Sequence, residues 1–119
     1  MDLKTIAEML VAGCRENRAI ENLDRLYAPD AVSVEAADMG RGRVTEGLAG
    51  IRGKHEWWDA SMEVSDGSVS DPMLHGEHRF AVIFEFQGKE KQTGKAFEMK
   101  EVGLYHVTDG KIVREEFFY

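Results

Sequence analysis

The pair Asp109-Gly110 restricts the fold of this chain more than any other feature of its sequence. Asp-Gly is favoured in two-residue β-hairpin turns, because its residues tolerate the positive φ angles that such turns require. Long segments of strand-like composition flank the pair, from Lys95 to Thr108 and from Lys111 to Tyr119. The sequence therefore predicts a long antiparallel hairpin in which Thr108 lies opposite Lys111.

This register distributes the side chains of the hairpin over two faces. One face collects Val102, Leu104, His106, Val113, Glu115, Phe117 and Tyr119, and the other collects Met99, Glu101, Gly103, Tyr105, Val107, Ile112, Arg114, Glu116 and Phe118. Both faces mix apolar with charged residues, so the pattern alone does not decide which face looks inward. On the second face, Arg114 between Glu101 and Glu116 predicts a cross-strand ion-pair network.

The two-sided hairpin also bears on the oligomeric state. A sheet with apolar residues on both faces needs a second cover, and a symmetric partner subunit is an economical source of one. We therefore expect a homodimer that packs through the outer face of the sheet.

A further strand is predicted upstream of the hairpin. Between His78 and Gln87, large apolar residues alternate with polar or small ones, and the apolar face carries Phe80, Phe84 and Phe86. A loop over 88–94 joins this strand to the hairpin. The stretch 65–73 contains Asp-Gly and Asp-Pro pairs and is predicted to be irregular.

Helical periodicity is found in the first half of the chain. The first helix has Asp2 as its N-cap and ends near Asn17. A second, short helix carries Ile20 to Tyr27 and cannot continue through Pro29, after which the stretch 31–37 predicts a strand. The third helix runs from Leu48 to Met62.

The third helix has a recognisable buried side. His55 and Trp58 share the apolar stripe with Ile51, so both are expected to look into the domain. The charged residues Arg52, Lys54, Glu56 and Asp59 are expected to point largely to water.

Length and charge exclude several classes of protein. A chain of 119 residues has room for one domain, residues 1–119. Lys and Arg number 15 against 22 Asp and Glu, a net charge of -7 that disfavours nucleic acid and anionic membranes as partners. With Cys14 as the single cysteine and an N-terminal segment interrupted by charges, we expect no disulfide, no membrane span and a cytoplasmic location.

Three phrases of the sequence carry a family resemblance: LYAPDAV, EGLAGIRGKHEWW and LYHVTDGKIVREEFF. Together with the order of helices and strands, they resemble the nuclear-transport-factor-2-like superfamily and its SnoaL-like branch, which includes polyketide cyclases and ketosteroid isomerases. The resemblance implies an α+β fold in which a cone-shaped, curved antiparallel sheet and three helices from the N-terminal half enclose a pocket.

The resemblance also implies positions for catalytic residues. Ketosteroid isomerase uses an aspartate at the end of the first strand as its proton-shuttling base, and Glu35 stands at that position here. Its oxyanion-stabilising tyrosine and protonated aspartate correspond to Val11 and Val102. The oxyanion hole of that enzyme is therefore absent from this chain.

Glu35 and His55 are the predicted catalytic residues. A carboxylate in an apolar pocket can accept and return a proton near neutral pH, and a buried histidine can act as acid, base or hydrogen-bond donor. A solvated strand-end carboxylate and a satisfied core histidine are the competing interpretations. The predicted pocket lining is Tyr27, Trp58, Phe80, Phe84, Phe86, His106 and Glu115, of which the aromatic residues could equally fill a core.

These residues predict a protein that binds a small, largely apolar molecule and catalyses proton transfer, as in isomerisation or cyclisation, without a cofactor. Hydrolase- or lyase-type acid–base chemistry is the other catalytic class that they allow. Two alternatives stay open: a non-catalytic ligand-binding protein and a dimeric interaction module with a filled core. No metal site is predicted, because the four histidines, Glu35 and Glu115 lack the spacing of a metal motif.

Overall fold

The computed structural model describes residues 1–38 and 40–119 and has a mixed α+β architecture, as the sequence predicts. The elements in chain order are α1 (Leu3–Arg15), α2 (Leu23–Leu26), β1 (Tyr27–Val34), β2 (Val44–Glu46), α3 (Leu48–Ser61), β3 (Met62–Val69), β4 (Met73–His75), β5 (Arg79–Glu90), β6 (Ala96–Thr108) and β7 (Lys111–Phe118). No helix among these described residues is long and apolar enough to cross a membrane. The cytoplasmic location stays a prediction.

The strands form one curved sheet in the order β2-β1-β7-β6-β5-β3, with β4 paired to β5 beside this path. Neighbouring strands are antiparallel except β1 and β7, which run parallel. Register shifts interrupt the ladders of β1 with β7, β3 with β5, and β6 with β7. Such bulges bend strands and raise their twist, which is how a long sheet curves into the predicted cone.

The helices cover one face of the sheet, which we call the inner face. Asp2 caps α1 as predicted, with its Oδ1 accepting a hydrogen bond from the Thr5 amide at 2.8 Å. Ile6 and Leu10 of α1 pack into a core with Ile51 of α3 and with the inner residues of the sheet. The inner sheet residues of this core are Tyr27, Ala31, Phe80, Val82, Phe84, Tyr105, Val107 and Ile112.

Some predicted boundaries were wrong. The first strand begins at Tyr27 and contains Pro29, because the proline falls in the register break of β1 between Tyr27 and Val32, where no ladder hydrogen bond is lost. The stretch 65–73, predicted to be irregular, belongs mostly to β3 and β4, and its Asp-Gly pair lies beside the bulge that follows Val64.

The turn of the hairpin is as predicted, but an extra residue in β7 shortly after the turn changes which side chains of β7 share a face with those of β6. Asp109 and Gly110 have φ angles of 51° and 75°, and Thr108 pairs with Lys111. The ladder then shifts, because Val107 pairs with Ile112 and His106 with Arg114, which leaves Val113 as a bulge. A bulged residue moves every later side chain of its strand to the opposite face.

The predicted composition of the two hairpin faces was therefore wrong. Glu115 lies opposite Tyr105 on the inner face, whereas His106 and Arg114 lie on the outer face. The predicted pocket residues His106 and Glu115 are thus on different sides of the sheet. The predicted network of Arg114 with Glu101 is split in the same way, and Arg114 pairs with Glu116 alone, at 3.1 Å.

The homodimer stays a prediction, and the outer face supplies its test. Ile83, Val102 and Phe118 lie side by side across β5, β6 and β7, and Phe118 is 47% exposed. We expect light scattering to give twice the 13.4 kDa chain mass for the wild type and the chain mass for Val102→Asp, because a carboxylate at the centre of an apolar contact is costly to bury. Lys4→Asp, at an exposed position of α1 away from the outer face of the sheet, is the control. A wild type that is monomeric at micromolar concentration would contradict the homodimer.

Candidate functional site

A buried carboxylate, Glu115, stands at the centre of the polar interior. It is 3% exposed on the inner face of β7, and it accepts hydrogen bonds from the Tyr27 hydroxyl and from Ser33 Oγ, the latter at 2.7 Å. Both donors come from β1, because the parallel register of β1 and β7 places Ser33 directly beside Glu115. The carboxylate is thus satisfied by two hydroxyl groups, as a buried charge requires.

Lys54 continues this network from the helical side. Its Nζ lies 2.8 Å from Ser33 Oγ and 2.6 Å from Glu35 Oε1. The prediction that Lys54 points to water was wrong, since its side chain is only 30% exposed. The reason is helical periodicity: Lys54 follows the fully buried Ile51 by three residues, so its stem runs along the face of α3 that packs on β1.

Glu35 follows β1 and lies on the inner side of the sheet. Its polar contacts are the ion pair with Lys54 and a hydrogen bond accepted from the Tyr119 hydroxyl at 3.3 Å. The side chain is 25% exposed, so it is neither fully buried nor a freely solvated strand-end carboxylate. The ammonium of Lys54 compensates its negative charge, which makes Glu35 one half of a fixed pair.

Glu101 is a further carboxyl group of the interior, and it was not among the predicted site residues. It pairs with Phe84 on the inner face, between β5 and β7. Burial and, after it, the negative charges of Glu35 and Glu115 together raise the pKa of Glu101 to about 7, against the opposing effect of Lys54. Glu101 alternates in step with Tyr105 and Val107 along β6, so the sequence did place these three residues on one face. Because the bulge in β7 was not predicted, Arg114 was assigned to that face as well.

His55 lies near the opposite side of the same interior. It lines a cavity of about 270 Å³ between the end of α1, the segment after it and α3. The cavity is lined by Cys14, Asn17, Arg18, Ala19, Ile20, Glu21, His55 and Asp59. Burial lowers the pKa of His55, so its imidazole is mainly neutral at pH 7. Burial also raises the pKa of Cys14 to about 12, which excludes a thiolate nucleophile there.

The predicted aromatic lining divides into two groups. Phe80 is fully buried and stacks on Tyr105 with ring centroids 4.8 Å apart, so it fills the core, and Tyr27 and Phe84 belong to the same core. Trp58 and Phe86 are half-buried, with ring centroids 6.5 Å apart. Whether this second group meets a ligand stays a prediction.

Glu35 and His55 were predicted to face one shared cavity. Both lie on the inner side, but the 270 Å³ cavity is lined by His55 and not by Glu35. The charges of Glu35, Glu115 and Lys54 all act on Glu101, so these four side chains form one electrostatic unit. Within the described residues, no group of three His, Cys, Asp or Glu side chains is arranged to hold a metal ion.

This arrangement can perform a limited set of reactions. Glu101 can gain or lose a proton near neutral pH, Lys54 offers a permanently placed positive charge, and His55 offers a neutral imidazole. Glu35 is paired with a positive charge, whereas Glu101 can be protonated near neutral pH. Acid–base sites typically contain two titratable groups whose environments differ in this way.

Comparisons with known proteins agree with the fold. The chain matches the sequence profile of the SnoaL-like domain over residues 1–119. It is 35% identical to a SnoaL-like polyketide cyclase candidate from Mesorhizobium loti, with 100% of both chains covered and a TM-score of 0.91. An NTF2-like protein from Burkholderia thailandensis is 18% identical, with 99% of this chain and 90% of that chain covered and a TM-score of 0.80.

A SnoaL-like polyketide cyclase candidate from Jannaschia sp. CCS1 is 11% identical, with 98% of this chain and 85% of that chain covered and a TM-score of 0.76. At such identities the likeness concerns the fold alone. No curated protein matches the chain at a significant level. The full-length profile match and the 35% identical relative together show that the chain belongs to the SnoaL-like domain family.

Proposed function

We propose that this protein binds a small, largely apolar molecule inside its cone and moves a proton on it, at a carbon next to a carbonyl group. The observation that carries the proposal is Glu101, a carboxyl group on the inner face whose pKa is raised to about 7. A general base works best when its pKa lies near the working pH, because it is then both ionised often enough and basic enough. Isomerisation and aldol-type cyclisation both begin with this step.

The other polar residues of the interior support Glu101 in distinct ways. Glu35 and Lys54 form an ion pair beside it, and the charge of Glu35 raises the pKa of Glu101. Neutral His55 is a hydrogen-bond donor or acceptor for a ligand that extends to the 270 Å³ cavity that it lines. The 35% identical relative from Mesorhizobium loti, which is named as a polyketide cyclase candidate, agrees with this class of chemistry.

The test measures, by NMR, the rate at which the members of a panel of small cyclic ketones in D₂O exchange hydrogen for deuterium at the carbon next to the carbonyl group. We expect the protein to accelerate exchange and Glu101→Gln to lower that acceleration about 100-fold, which is the usual size of a single acid–base contribution. Glu98→Gln is the matched control, because Glu98 lies on the same strand and is exposed to solvent.

The same panel decides between the two carboxylates. If Glu35→Gln abolishes exchange while Glu101→Gln retains it, the base is Glu35 and the assignment to Glu101 is wrong. If no ketone exchanges faster with the wild type than with Glu101→Gln, the catalytic proposal fails for this class of substrate.

A dimeric interaction module is the second candidate function. It is favoured by the filled part of the cone, where Phe80 stacks on Tyr105, and by the apolar row of Ile83, Val102 and Phe118 on the outer face. A stable dimer without ligand binding or exchange activity would support it.

A further inference from the structure

The ammonium group of Lys54 is held by a chain of hydrogen bonds whose directions are all determined. The Tyr27 hydroxyl donates to Glu115, and Ser33 Oγ donates to the other oxygen of the same carboxylate at 2.7 Å. Because the hydroxyl proton of Ser33 is used in this way, its oxygen can only accept from Lys54 Nζ, 2.8 Å away. Two buried side chains therefore position Lys54 through Ser33.

This leaves one N–H of the ammonium for another acceptor. A lysine ammonium has three N–H donors, and those of Lys54 reach Ser33 and Glu35 within the described part of the chain. The ring of Phe117 lies 5.6 Å from Nζ and shields the charge on one side. Since the side chain is 30% exposed, a ligand that enters the cone can reach the ammonium.

We propose that Lys54 is the catalytic residue that receives the carbonyl oxygen of the substrate and stabilises it as an oxyanion. This rests on the proposed function, in which Glu101 takes the proton. The C–H bond next to the carbonyl breaks, its proton goes to the Glu101 carboxylate, and its electron pair forms the C=C bond of an enolate. The negative charge then lies on the enolate oxygen beside Lys54, until return of the proton from Glu101 completes the reaction.

The charge balance of the interior favours this assignment. When Glu101 accepts the proton it becomes neutral while the ligand oxygen becomes negative, so the negative charge moves and none is added. Lys54 lowers the pKa of Glu101, so its positive charge already stabilises the negative charge of that carboxylate. A pre-positioned cation stabilises the developing oxyanion without reorganisation during the reaction.

The positions at which the family resemblance implies an oxyanion hole offer no competitor for this role. Val11 and Val102, at the positions implied for an oxyanion hole, carry no donor; Val11 lies in the core and Val102 on the outer face. The substrate class that fits is therefore an uncharged apolar molecule with an enolisable ketone or ester, whose oxygen must reach α3 and whose C–H must reach β6.

The experiment compares binding of two probes of similar size by NMR titration at pH 6, where Glu101 is mainly protonated, as it is after proton transfer. The probes are 1,3-cyclohexanedione, present mainly as its enolate, and neutral cyclohexanone. We expect the wild type to bind the enolate at least about 10-fold more tightly, a preference typical of one charge-assisted hydrogen bond. Lys54→Met should abolish this preference and Lys54→Arg should retain it. Circular dichroism verifies that each variant is folded.

A second readout tests the position of Lys54 without any ligand. Because Lys54 lowers the pKa of Glu101, Lys54→Met should raise the pKa of Glu101 above about 7 in a carboxyl NMR titration. An unchanged Glu101 titration would show that the two groups do not share a site.

The outcomes separate this inference from the function on which it rests. Glu101→Gln should lose exchange activity but keep the preference for the enolate, since it lacks the base and retains the ammonium. If Lys54→Met keeps the preference, or if the wild type shows none, the role of Lys54 is overturned. The assignment of Glu101 then depends on the exchange experiment alone.

Discussion

Replacing Glu115 by alanine should lower the free energy of unfolding by about 2–4 kcal/mol, because two buried hydroxyl groups lose their acceptor and each unsatisfied buried group costs about 1–3 kcal/mol. Glu115 is the acceptor for the hydroxyls of Tyr27 and Ser33, and the substitution leaves both without it. Ser33 is fully buried and Tyr27 nearly so, and water cannot readily replace the lost carboxylate. Urea denaturation followed by circular dichroism measures the change.

Glu116→Ala is the matched control for this prediction. Glu116 is the next residue along β7, lies on the outer face and pairs with Arg114 at 3.1 Å. Partly exposed ion pairs contribute about 0–1 kcal/mol, so its loss should be small. Equal destabilisation by the two substitutions would mean that Glu115 is not the centre of a buried network.

The second large effect is a pH dependence of stability that belongs to Glu101. Its pKa is raised from an ordinary 4.5 to about 7 by burial and by the charges of Glu35 and Glu115, against the opposing effect of Lys54. Between these values the folded state binds more protons than the unfolded state, so the free energy of unfolding falls as pH rises. The loss approaches about 3 kcal/mol above pH 7, where the buried carboxylate is ionised.

Glu101→Gln removes the contribution of Glu101 to the pH dependence of stability, so the difference between variant and wild type measures that contribution. The lowered pKa of His55 acts in the opposite direction, because its stabilising effect is lost as pH falls, so the quantity to follow is the difference between variant and wild type. We expect the variant to gain stability over the wild type from pH 4.5 to pH 8, measured by urea denaturation at each pH. Glu98→Gln should show no such trend, and a flat difference for Glu101→Gln would contradict a raised pKa.

Local features of the sequence were sufficient for the helices, for the strands β5 to β7 and for the hairpin turn. Asp2 caps α1, the third helix extends from Leu48 to Ser61, and Asp109-Gly110 forms the turn with Thr108 opposite Lys111. Each depends on interactions within a few residues, such as a cap, a periodic apolar stripe or a turn with positive φ angles. The family phrases added the order in which these elements pack.

The candidate site was predictable only in part. Glu35 and Glu115 were selected and do lie on the inner side, whereas Lys54 was assigned to solvent and Glu101 to an ion-pair network. Lys54 could have been recognised from its spacing to Ile51. Glu101 shares its face of β6 with Tyr105 and Val107, but the sequence did not show that this face is the inner one, and without the bulge in β7 it was grouped with Arg114.

The sequence by itself determined the helices, the long strands β5 to β7, the hairpin turn and the family, because these follow from local propensity, from periodic patterns and from the family phrases. Tertiary structure alone decided which side chains meet in the interior. The bulge at Val113 places Glu115 rather than His106 on the inner face, and the parallel pairing of β1 with β7 brings Ser33 to Glu115. A one-residue shift costs little locally but reverses a whole strand, so only the packing of the complete sheet selects it.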